Sequence, residues 1–86
     1  MFNAEIIKTR LNAQPFSPLR IIVSEGMSFD IFHPDLVLVG WTDLIIGFAG
    51  KDHPSIYDRT IRIDMSHVVG LEDLPVPAPS SKNGSA

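Results

Sequence analysis

The chain holds three histidines, in "HPD" (His33), "KDHPS" (His53) and "SHVV" (His67), and no cysteine. A metal site needs three or four ligands in compact geometry. No two of these histidines stand at the i, i+4 spacing that puts side chains on one helix face. His33 with Asp35, or Asp52 with His53, supplies two ligands at most. A small metal-dependent enzyme built on His33, Asp35 and His67 would need a purely tertiary meeting of the three. Nucleophilic catalysis is no better served. There is no Gly-x-Ser-x-Gly elbow. Ser66 and His67 are adjacent, so in a strand they face opposite ways. Gly40, Gly47 and Gly50 are isolated and form no phosphate loop; they read as bulges or close backbone approaches. Asp30 with Asp35, and Glu72 with Asp73, read as solvated charges. No catalytic residue, cofactor or metal is assigned.

Charge restricts the partners. The net charge is −3 over 86 residues, with no clustered Lys/Arg of the kind that duplex nucleic acid favours. Arg20, Arg59, Arg62 and Lys51 could gather at one rim with Phe32, Trp41 or Tyr57 as stacking surfaces for single strands. Asp30, Asp35, Asp43, Asp58 and Asp64 are interspersed with them and blunt the field. The N-terminal "MFNAEIIKTR" has no charged segment followed by a long apolar run, so it does not read as a secretory signal. The longest apolar run, "LVLVGW" at 36–41, is far short of the ~20 residues that span a bilayer. The expectation is a soluble cytoplasmic protein with no membrane partner.

The elements that would carry these residues are short. "NAEIIKTRLNAQ" reads as a helix with Asn3 as N-cap, a staple between Phe2 and Ile7, and Ile7 and Leu11 on one face. Pro15 ends it. "LRIIVS" (19–24) is a β-branched strand. "EG" at 25–26 marks a three-residue turn with Gly26 in the left-handed region, because Glu is poor there. "MSFDIF" (27–32) alternates and reads as a half-buried strand. "HPD" at 33–35 breaks it. "LVLVGW" (36–41), "LIIGFA" (44–49), "RTIRIDM" (59–65) and the end of "SHVVGLEDL" (66–74) complete five or six strands, with a polar loop at 50–58. The fold class that follows is mainly β: a small antiparallel barrel or strongly bent sheet of five to six strands with one N-terminal α-helix. One domain spans 1–74, followed by a Pro/Ser-rich disordered tail, 75–86.

Strands 36–41 and 44–49 are apolar on both faces, where an antiparallel strand with one wet face should alternate. If Leu36, Leu38, Leu44, Ile46 and Phe48 fill the interior, then Val37, Val39, Trp41 and Ile45 need cover from outside, part of it from Ile6, Ile7 and Leu11. Burying four such side chains stabilises by about 6–10 kcal/mol, which rivals the whole stability of a small domain. The sequence therefore predicts a non-enzymatic binding or assembly module, a homo-oligomer joined through an edge strand with Val37, Val39, Trp41 and Ile45 at the interface. A different protein partner is a variant of that reading. The alternative is binding of RNA or single-stranded DNA through Arg20, Arg59 and Arg62.

Two resemblances accompany this reading. Pro15, Phe16, Pro18, Arg20, Ile21, Ser24, Gly26, Phe29, Asp30, Ile31, His33, Pro34 and Asp35 fit the pattern P-F-x-P-[FL]-R-I-x-x-S-x-G-x-x-[FY]-[DE]-[IV]-x-H-P-[DE]. The chain over 15–74 thereby resembles a family of small bacterial proteins to which no activity is assigned. The second resemblance is architectural, to the Sm-like barrels, which have an N-terminal helix, five bent strands and ring assembly through edge strands. "DMSHVVGL" is similar to the last-strand motif of the bacterial Sm-like RNA chaperone, with His67 at its histidine. Ser66 stands where that family has a lysine that helps bind uridines. The resemblance implies a small antiparallel SH3/Sm-like barrel or roll and assembly through its edges, and it gives the alternative the form of an Sm-like RNA-binding protein using Arg20, Arg59, Arg62 and His67.

Overall fold

The protein is described from a computed structural model covering residues 2–75. The expected disordered tail lies, from residue 76 on, outside the described residues. A helix, α1 (Ala4–Leu11), precedes six strands: β1 (Leu19–Val23), β2 (Ser28–Ile31), β3 (Val37–Val39), β4 (Asp43–Ala49), β5 (Tyr57–Asp64) and β6 (Val68–Asp73). Short 3-10 turns at Ser24–Gly26, Pro34–Leu36 and Met65–His67 separate β1 from β2, β2 from β3, and β5 from β6.

The helix begins where its cap dictates. The Asn3 side chain accepts the Ile6 N–H at 2.9 Å, which satisfies one of the amides that the first turn leaves unpaired. Ala4, Ile7 and Leu11 form its buried stripe, and Phe2 packs against the same cluster. The hairpin β1–β2 closes around Ser24–Gly26, with Val23 N–H donating to Met27 O at 2.9 Å. Gly26 is left-handed (φ 82°) as the sequence required, but Glu25 is left-handed too (φ 69°). That conformation costs a side-chain-bearing residue about 1–2 kcal/mol, a strain the tight three-residue loop imposes.

All strand pairings are antiparallel, and they fall into two three-stranded sheets, ordered β2-β1-β6 and β3-β4-β5. The fold is mainly β with one N-terminal helix, but the sheets are not closed into a barrel. The reason lies in "HPD". A continuous bent strand would have to run from β2 into β3. Instead Pro34, which has no N–H to give a ladder, opens a 3-10 turn closed by Leu36 N–H on His33 O at 3.1 Å. The chain leaves one sheet at Ile31 and enters the other at Val37.

One buried cluster joins the two sheets and the helix. Leu19, Ile21 and Val23 come from β1, Ile31 from β2, Val37 from β3, Leu44 and Ile46 from β4, Ile63 from β5, and Ile7 and Leu11 from α1. Ile7, Leu19, Ile21, Leu44 and Ile46 are the largest fully buried side chains, each stabilising the fold by about 1.5–3 kcal/mol.

The register reverses the expected phase of β3. Val37 stands opposite Ile46, Leu38 opposite Ile45, and Val39 opposite Leu44. Directly opposed residues share a face, so Val37 and Val39 go inward with Ile46 and Leu44, and Leu38 goes outward. Val37 is 4% exposed and Leu38 65%. The placement of Val37 and Val39 on an outer interface is thereby corrected. The helix does pack on the Val37 and Val39 side of β3, with Ile7 and Leu11 in the core beside Val37, while Ile6 is exposed.

The phase of β3 is measurable. Val37→Ala is expected to lower unfolding stability by about 1–3 kcal/mol through loss of buried methyls. Leu38→Ala removes more carbon but is expected to change stability by less than about 0.5 kcal/mol. Urea denaturation of the two variants that gives the opposite order refutes this register.

Candidate interaction surface

The two sheets turn different faces to solvent. The first sheet is charged there. Arg20 on β1 stands between Asp30 on β2 and Glu72 on β6 in the register. Its Nε donates to Asp30 Oδ1 at 2.7 Å, its Nη2 to Asp30 Oδ2 at 3.3 Å, and its Nη1 to Glu72 Oε1 at 3.3 Å. The three side chains span the sheet as one ladder, which fits cross-strand pairing of opposite charges. Hydrogen bonding from Arg20 is the main reason the Asp30 carboxyl titrates below its ordinary range. The same bond raises Arg20.

The second sheet is apolar there. Leu38 and Ile45 are directly opposed on its outer face, with Arg62 next across β4. Gly47 continues the row. A Cβ at Gly47 would fall 2.9 Å from Tyr57 Cβ and 3.5 Å from Leu36 Cδ2, so the missing side chain lets Tyr57 and Leu36 approach over β4. Leu36, Leu38, Ile45 and Tyr57 thus form an apolar band across three strands. Tyr57 is 58% exposed, and Trp41, in the turn between β3 and β4, is 80% exposed. Of the four residues read as an interface, Ile45 and Trp41 are on the surface, Ile45 half-buried; Val37 and Val39 belong to the core side. Leu36, Leu38 and Tyr57 were missed. The strong β propensity of "IY" at 56–57 is a signal that β5 begins before Arg59.

Of the four residues proposed for RNA, Arg62 and His67 border one cleft with Val23, Met27 and Phe29, and Arg20 and Arg59 do not border it. Arg20 is on the first sheet, held by its two carboxylates. Arg59 lies over the Phe48 ring, its Cζ 4.2 Å from the centroid, and Phe48 packs edge-on against Phe29 with centroids 6.0 Å apart. Arg62 pairs with Asp43 through Nε at 3.2 Å. His67 is exposed in the last 3-10 turn. Ser66, beside it, is fixed by Asp64, which accepts its N–H at 2.9 Å and its hydroxyl at 2.7 Å. Those bonds, the hydroxyl's first, hold the Asp64 carboxyl below its usual range.

His53 serves its own loop, accepting the Ser55 N–H on Nδ1 at 3.2 Å. His33 caps the Pro34–Leu36 turn through its carbonyl. Among the described residues no three His, Asp or Glu side chains gather to hold a metal, so His33, Asp35 and His67 do not converge. A cleft of about 360 Å³ runs along the seam between β2 and β4, bordered by Phe29, Phe32, His33 and Phe48. Its one carboxylate, Asp30, is already engaged by Arg20. No described helix is long and apolar enough to cross a membrane.

No family model, curated protein or solved structure matches the chain.

The charge ladder has a pH signature. A carboxyl whose folded pKa is depressed adds stability that is complete above its unfolded value, near 4, and is lost as pH falls through the folded value. Wild type is therefore expected to unfold at higher urea than Asp30→Asn at pH 7, and the gap should close as pH falls below the ordinary carboxylate range and through the folded value. A gap that persists unchanged in acid would show that Asp30 acts otherwise than as a carboxylate.

Proposed function

We propose that the chain is a non-enzymatic binding and assembly module that associates with other copies of itself through the open edge of a sheet. The observation that carries this is the apolar band on the second sheet. Leu38 and Tyr57 are more than half exposed, on a sheet whose outer strand β5 has β4 as its only strand neighbour among the described residues. Contiguous apolar surface on a soluble protein marks a contact, and an unpaired strand edge is a template for another strand. The strand succession supports an SH3/Sm-like roll opened at one seam: β6, β1 and β2 run side by side, the Pro34–Leu36 turn follows, and β3, β4 and β5 continue. The outer strands are β2 and β6 in the first sheet and β3 and β5 in the second. RNA binding is the weaker reading, because Arg20 and Arg62 each face carboxylates that offset the charge a phosphate would meet.

Sedimentation equilibrium of the purified chain at micromolar concentration is expected to give a mass of two or more chains. A single-chain mass over that range rejects the proposal.

A further inference from the structure

We infer that β5 is the contact strand, that its occupant is β5 of a second copy, and that the two run antiparallel about a two-fold axis at Thr60. This rests on the self-association reading and specifies its geometry.

The backbone identifies the side that is free. Met65 N–H donates to Thr42 O at 2.8 Å, and the β4–β5 register continues from that pair through Asp43/Asp64, Leu44/Ile63, Ile45/Arg62, Ile46/Ile61 and Gly47/Thr60. Hydrogen-bonded and non-hydrogen-bonded pairs alternate along an antiparallel ladder. Asp43/Asp64, Ile45/Arg62 and Gly47/Thr60 are therefore the non-bonded pairs. The N–H and C=O groups of Thr60, Arg62 and Asp64 point away from β4, toward the side where β5 has no strand neighbour among the described residues; toward Asp64 the strand borders a cleft shared with Val23, Glu25 and Met27 of the β1–β2 hairpin. A partner strand must present its own outward groups to these. For a second β5, that restricts the axis to Thr60, Ile61 or Arg62 near the middle of the strand.

Charge selects among the three. With Ile61 on the axis, Asp58 opposes Asp64 of the other copy. With Arg62 on the axis, two arginines oppose each other. With Thr60 on the axis, Arg62 of each copy opposes Asp58 of the other, and two β-branched threonines meet at the centre. Opposite charges directly across a ladder stabilise it and like charges destabilise it. The pairing segment is then 58–62, bounded at one end by the bulge at Asp58, where the register shifts between Phe48 and Ala49.

The composition of the edge agrees. Of the eight residues of β5 only Ile63 is buried, so the strand lies open along its length. Asp58, Arg59, Arg62 and Asp64 line it, and such charges deter indiscriminate strand addition. A second copy in this register answers Asp58 and Arg62 with their opposites. The product is a six-stranded sheet, β3-β4-β5-β5-β4-β3, whose outer edges are the three-residue β3 strands alongside α1.

The chain's lack of cysteine makes the test direct. Thr60→Cys is expected to be captured as a covalent dimer by mild oxidation or by a short thiol-to-thiol linker. Lys51→Cys, in the exposed loop before β5, is expected to stay monomeric on a denaturing gel. Asp58→Arg and Arg62→Asp are each expected to weaken association at least tenfold by sedimentation, and the double exchange to restore it. Circular dichroism confirms that each variant is folded. Wild type that sediments as a single chain overturns both this proposal and the reading beneath it. Wild type that self-associates while Thr60→Cys resists capture, or while the double exchange fails to rescue, overturns the β5 register and leaves assembly by another edge.

Discussion

Ile7, Ile21, Leu44 and Ile46 meet in a single buried cluster, and that meeting constrains every other element. A chain of this size with no cysteine has neither a second core nor a disulfide to fall back on. Each strand must therefore turn one face to this cluster, and the helix must add its own stripe. Once β1 and β4 commit Ile21 and Leu44 inward, the antiparallel register fixes the phase of β2, β3, β5 and β6. The outward residues are then a consequence of inward packing. That is how Leu38 and Ile45 come to be on a solvent face despite being as apolar as the core.

The two sheets resolve this constraint differently. In the first, the outward positions carry Asp30, Arg20 and Glu72, a row matched in charge and content to stay in water. In the second, the outward positions carry Leu36, Leu38, Ile45 and Tyr57, and the charges lie toward the β5 edge at Asp58, Arg62 and Asp64. Several ionisable side chains are tied to structural partners: Asp64 to Ser66, Asp43 to Arg62, Asp73 to Arg10, His53 to Ser55.

Much of the fold could be read from residue order. Asn3 as cap, the alternation of 27–32 and 59–65, the break at "HPD" and the final strand all rest on local signals, and the elements form where those signals stand. The apolar two-sidedness of 36–49 was legible as well. What could not be read was which side faces in. "LVLV" offers no polar residue to mark its outer face, so the pattern alone is satisfied equally with Leu36 and Leu38 inside, and only the register with β4 shows Val37 and Val39 there. Barrel closure failed for a related reason. The number and length of strands suit a barrel, but whether a Pro-containing break bends a strand or ends it depends on pairing elsewhere. Glu25 adopted a left-handed conformation that its type disfavours, because the loop length set by the flanking ladder prevailed over local preference. Among the site residues, Ile45 and Trp41 were visible as excess apolar surface; Tyr57 was hidden by the turn-like "DHPS" before it.

The division into two sheets has a kinetic side. The sheet of β3, β4 and β5 is a meander assembled from neighbours along the chain, within 37–64. The other sheet must bring Leu19 against Asp73 and Ile21 against Leu71, closing a loop that encloses the whole meander. Loop closure grows costlier with length, and non-local pairing is what slows a folding domain. Joining β1 to β6 is thus the strand pairing of greatest sequence separation, a clasp drawn around a unit that can organise from its own short connections.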